Sequence, residues 1–181
     1  MHPWHPLKAA LLIVSAVSVA ACASVTVQSY TAGRTDVRQY HTYSWGPSEA
    51  ISTGDPRLDG NRLFAERVRS RVDAALARRG YEKIENGPPS LEVHFHASVT
   101  QKIDLSTVDA PYSGVPRVVT DSYVYDAGTL VIDLVDARSS TLVWRGWAEG
   151  SLEGVIDNQA AMEAHIDRAV AQVLQRLPPR L

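Results

Sequence analysis

The chain has 181 residues, with 18 Lys and Arg against 20 Asp and Glu and a formal charge of −2. That near balance excludes nucleic acid as a general partner, and a single cysteine excludes an internal disulfide. The length suits one domain with a sizeable core behind a short leader.

Residues 1–21 read as that leader. Lys8 and the free amine form a thin positive flank, and Ala9 to Ala21 is apolar. The run is shorter than the roughly 20 residues that span a bilayer. It matches the apolar middle of a signal peptide, about 7–15 residues long. Val19-Ala20-Ala21-Cys22 resembles the bacterial lipobox, with an ordinary secretory signal ending in cysteine as the alternative. The lipobox resemblance implies a diacylglyceryl group on the Cys22 thiol, cleavage before Cys22 and an N-acyl chain on the new amine. No other cofactor is expected. Two or more chains hold a protein stably where one does so only marginally. Ala23 stands where an aspartate would retain an enterobacterial lipoprotein in the inner membrane. The expected address is therefore the outer membrane, with the domain facing the periplasm. Loss of Lys8 with the leader leaves the mature chain at about −3.

Residues 22–30 read as a tether or a first strand, because Val25 and Val27 alternate with polar residues. Residues 31–181 form one domain. Val37 to Trp45 predicts a strand, and Gly46 to Gly60 a long loop. A helix then starts at Asp55-Pro56 or Asp59 and runs through Asn61 to Arg79, with Phe64, Val68, Val72 and Leu76 as its apolar stripe. Gly80 is its stop. A short strand follows at Tyr81 to Glu85. Leu91 to Thr100 alternates cleanly, with Leu91, Val93, Phe95, Ala97 and Val99 on one side. Asp104 to Pro116 is a second long loop. Val118 to Tyr125 and Thr129 to Asp136 predict two strands joined by a turn at Asp126-Ala127-Gly128. Thr141 to Leu152 is another strand. Asp157 to Leu177 is a helix with a stripe of Met162, Ile166, Ala169, Val173 and Leu177.

This order predicts an α+β fold, an antiparallel meander sheet with two amphipathic helices packed on one face. Tyr40-His41-Thr42-Tyr43-Ser44-Trp45, the Asp55-Pro56-Arg57 turn, Gly80-Tyr81, the run from Tyr125 to Asp136, and Leu142-Val143-Trp144-Arg145-Gly146 carry a family likeness. Together they resemble the bacterial lipoproteins of the domain-of-unknown-function family numbered 4136. The resemblance spans nearly the whole mature chain. It implies an address and a domain, and no catalytic residues.

His94 and His96 lie on one side of a strand, about 7 Å apart. They are weak metal candidates, since a site needs three or four ligands, with His41 or Glu92 to complete it. The competing reading is a polar sheet face. Asp121, Asp126, Asp133 and Asp136 cluster along adjacent strands and read as turn and surface acids rather than a catalytic pair. No nucleophile elbow, zincin, P-loop or dinucleotide motif is present in the sequence. The arginines of the first helix read as a solvated face, with an anionic lipid surface as the alternative. Trp144 and Trp147, three residues apart, must face opposite ways.

Two functions fit. The first is a non-enzymatic interaction or structural module, membrane-bound through its lipid anchor, holding an envelope protein or cell-wall partner. The alternative is a small-ligand or metal-binding module around His94 and His96, with a hydrolase as one form of it.

Overall fold

The computed structural model describes residues 25–33, 35–47, 52–104 and 123–179. The leader, Cys22, Asp121 and nearly all of the second long loop lie outside these. Six strands form one sheet: β1 (Thr26–Thr31), β2 (Thr42–Trp45), β3 (Glu82–Lys83), β4 (Leu91–Asp104), β5 (Tyr123–Asp136) and β6 (Thr141–Ser151). Their spatial order is β1-β6-β5-β4-β2-β3. Helices α1 (Arg62–Arg78) and α2 (Gln159–Gln175) lie side by side on one face.

The fold is α+β, but the sheet is mixed rather than a pure meander. β2 runs parallel to both β3 and β4. The β2-α1-β3 segment is a parallel crossover, which a helix between neighbouring strands permits. β3 is two residues long, so the chain turns back at once and starts β4 on the far side of β2. Ser90 secures that start. Its hydroxyl donates to the Thr42 carbonyl at 2.6 Å and accepts the Thr42 N–H at 3.0 Å.

The turn expected at Asp126-Ala127-Gly128 does not form. All three residues sit inside β5, opposite Gln101, Thr100 and Val99 of β4. Gly128 is there for packing: a Cβ on it would lie 3.0 Å from the Leu152 side chain. A strand glycine marks close approach as readily as a bend. Residues 26–31 are not a free tether but an edge strand, antiparallel to β6. Val37–Gln39 is a 3-10 turn and not part of a strand.

The helices are capped later than expected, at Asn61, two residues past Asp59, and at Asn158, one past Asp157. Each side chain accepts an N–H three residues on, from Phe64 and Ala161, both at 3.0 Å. Gly80 takes φ 79°, the left-handed stop. Val68, Val72 and Leu76 from α1, Ile166 and Val173 from α2, and Leu177 just past its end are buried with Leu91, Val93, Ile132, Leu134 and Trp144. Gly146 leaves room for the Trp144 ring, which is 0% exposed. Trp147 lies on the opposite, uncovered face, half-buried.

Hydrogen bonds tie this frame together. Asp73 on α1 accepts from the Tyr43 hydroxyl, the Trp45 indole and the Lys83 ammonium, each at 2.9 Å. Burial, then that bond, pushes the Tyr43 hydroxyl well above its usual range. Asp136 organises the β5–β6 turn, accepting the Ser139 and Arg138 N–H groups and the Tyr40 hydroxyl. The Ser139 N–H leads in holding its carboxyl down at about 2.

Candidate binding site

The uncovered sheet face carries His94 and His96, but among the described residues it gathers no third ligand around them. The His94 ring packs over Gly46, where a Cβ would lie 2.8 Å from Nδ1, and its Nε2 is 3.5 Å from Glu92. His96 Nε2 is 3.8 Å from Asp133. That carboxylate, 4% exposed, is gripped by both arms of Arg145 at 2.7 and 2.6 Å. His41 stands at the start of β2, its N–H bonded to Ser90. Among the described residues no three His, Cys, Asp or Glu side chains are placed to share a cation. Asp126 lies 3.6 Å from Arg57, and Asp136 is committed to its turn.

The basic face of α1 is also largely committed. Arg67 and Arg71 both fork onto Asp167 of α2 at 2.6–2.9 Å, and Arg67 reaches Glu163 at 3.2 Å. Burial raises the Asp167 carboxyl, but the two arginines outweigh it and leave it below its usual value. Arg62 stays at the surface beside Glu66.

The concave feature lies at the edge of the sheet. β2 ends at Trp45, opposite Val93, whereas β4 runs on to Asp104. Beyond Val93, that edge of β4 has no paired strand among the described residues. The Val93 carbonyl accepts from Gly46, and the Val99 N–H donates to Thr53 at 2.7 Å. Ladder alternation therefore turns the N–H and C=O groups of Phe95 and Ala97 outward between these two ties. They face a recess of about 540 Å³ between the edge and the start of α1.

Its floor is aromatic. Trp45 and Phe64 meet Phe95 edge-on, with centroids 6.1 and 6.4 Å away. The Arg69 guanidinium lies 4.6 Å over the Trp45 ring. Asp59 shapes the rim, accepting from the Ser52 hydroxyl and from both the N–H and the hydroxyl of Thr53. These bonds, the backbone one first, lower its carboxyl pKa. The site thus offers alternating backbone donors and acceptors above an aromatic floor. Sequence reading missed it, because the edge exists only through strand order. The visible signal was a short strand ending at Trp45-Gly46 beside a long one.

A second, smaller cleft of about 40 Å³ lies between the sheet and α2, lined by Gly128, Gly150, Met162 and His165. His165 is buried, and its Nδ1 has no partner among the described residues. Burial first, then Arg168, lowers its pKa.

No described helix is long and apolar enough to cross a membrane. Among solved structures, the chain is similar to a PDZ domain protein from Parabacteroides distasonis, at 9% identity and a TM-score of 0.54. The match covers 87% of this chain and 37% of that one, so this chain spans little more than a third of that protein's length. It is also similar to PelC from Paraburkholderia phytofirmans, a dodecamer, at 13% identity and a TM-score of 0.48, covering 87% of this chain and 100% of that one. No curated protein matches the chain. Residues 26–179, from β1 to the end of the fold, match the model of the Domain of unknown function (DUF4136), and the chain belongs to that family.

Proposed function

We propose that this chain is an envelope lipoprotein, held at the outer membrane by acyl chains on Cys22 with its domain in the periplasm. It acts by holding a partner, not by turning over a substrate. The partner is an envelope protein that lays an extended segment along the edge of β4. One observation carries this reading: Phe95 and Ala97 turn their backbone groups into an aromatic-floored recess. A peptide strand satisfies such groups with main-chain hydrogen bonds, while the recess selects side chains. The lipobox and the apolar leader support the anchor.

The test is in-cell photocrosslinking from Arg62, exposed at the rim, with and without Ala97→Pro. Proline removes one outward N–H and leaves the β4–β5 ladder intact, since edge positions tolerate it. A discrete adduct that disappears with Ala97→Pro is expected. An adduct indifferent to that change sinks the edge as the docking element. Cys22→Ala should release the protein into the soluble periplasm; if it still floats with membranes, the anchor is wrong.

A further inference from the structure

The strands that enclose the start of the chain do not end together. Thr26 is level with Glu149, Thr129 and Ser98 across four strands. β6 stops at Ser151, opposite Ala127. β4 and β5 continue alone as a two-stranded ribbon, Gln101–Asp104 paired with Tyr123–Asp126. The ribbon ends six residues past the level of Thr26, or about 20 Å at strand rise. From Thr26 back to Cys22 is four residues, which reach about 14 Å at most when fully extended. The tether is therefore shorter than the ribbon that projects beside it.

The ribbon's surface is unusual for this domain. Ile103 and Val124, directly opposite each other, are 61% and 50% exposed on the helix side. Tyr123, 50% exposed, stacks on Tyr125 on the other side, with centroids 6.4 Å apart. Of the large apolar side chains exposed among the described residues, only Tyr30 and Leu63 lie elsewhere. Lys102 and Glu149 close an ion pair behind the patch, and the Tyr123 hydroxyl donates to Glu153. Aliphatic tips beside tyrosines whose polar ends are hydrogen-bonded suit the boundary between headgroups and acyl chains.

We infer that the β4–β5 ribbon seats Ile103, Val124 and Tyr123 in the surface of the bilayer that holds the Cys22 lipids. This rests on the anchor proposed above. A short tether then sets an orientation as well as a location: the ribbon end touches lipid, and the β5–β6 turn points away from it.

The experiment uses the purified lipidated protein in vesicles of phosphatidylethanolamine and phosphatidylglycerol. The acylated Cys22 leaves no other thiol, so Val124→Cys takes a single fluorescent probe; both the native and the new side chain are surface groups, and folding is undisturbed. Arg138→Cys, on the exposed β5–β6 turn at the opposite end of the sheet, is the comparison. Doxyl-labelled phosphatidylcholine in the vesicles should quench the probe at 124 several-fold more than the probe at 138. Equal quenching at both positions, in protein that floats with the vesicles, overturns the ribbon contact and leaves the anchor standing. Protein that does not float, and whose mass carries no acyl chains, overturns the anchor and the contact with it.

Discussion

Gly146→Ala is the sharpest test of the core. The added Cβ would lie 2.7 Å from Trp144 Cζ2 and 2.7 Å from Val173 Cγ1. Carbon atoms pack comfortably at about 3.5–4.0 Å, so each neighbour must retreat by roughly 1 Å. Neither has room, because Trp144 and Val173 are both 0% exposed between β6 and α2. Overpacking of this kind costs about 1–3 kcal/mol, and a clash on two sides belongs at the top of that range. With a urea slope of about 2 kcal/mol/M, the unfolding midpoint of residues 23–181 should fall by about 1.5 M. Trp144→Phe removes the outer ring that collides, and with it an indole N–H that has no acceptor among the described residues. In the double variant the two costs should fall short of their sum by at least about 1 kcal/mol. Additive costs, or a Gly146→Ala midpoint within about 0.3 M of the parent, would refute the packing argument.

Other outcomes follow from single contacts. Arg145→Met strands the Asp133 carboxylate beside His96. Removing one partner of a fully buried pair costs about 3–5 kcal/mol, and the half-exposed arginine brings this to about 2 kcal/mol. Adding Asp133→Asn should recover most of the loss in urea melts, and no recovery would mean that the pair is not the cause. Asp73→Ala leaves the Tyr43 and Trp45 donors unpaired and should cost about 2–3 kcal/mol, with Asp73→Asn milder because its oxygen still accepts; equal losses would argue against the hydrogen bonds. His165 resists in the folded state a proton that the unfolded ring takes at about pH 6.5. Stability should therefore fall as pH drops below that value and level off once the folded ring is protonated. His165→Phe should flatten this slope in urea melts between pH 5 and 7.5, and an unchanged slope would show that His165 does not set it.

The helices were legible because their signals are local. An apolar stripe at a spacing of three or four and the Gly80 stop of α1 act within a turn or two, and both helices formed where their stripes lay; the caps are Asn61 and Asn158 rather than the aspartates expected to start them. The clean alternation of β4 was legible for the same reason. Strand order was not, since it depends on which edge a chain meets after a turn. Nothing in Pro88-Pro89-Ser90 says that β4 starts beside β2, rather than beside β3. Asp126-Ala127-Gly128 misled because the same residues serve a hairpin or a strand that must clear Leu152. The histidine pair was seen correctly as two rings on one face. Whether a third donor stood nearby depended on Asp133, whose fate was settled by Arg145 on the adjacent strand. The recess stayed hidden because it is made by what β2 lacks.

The pairing of β1 with β6 bears on how the molecule comes into being. The first strand to emerge is completed by one of the last, with four other strands and α1 lying between them in sequence. Such distant partners make folding slow, because a long loop must close before the contact repays it. Until Thr141–Ser151 arrives, Thr26–Thr31 is a strand without its partner, open to wrong pairings. Closure of β1 onto β6 fixes the chain's first described strand and completes the sheet in the same event.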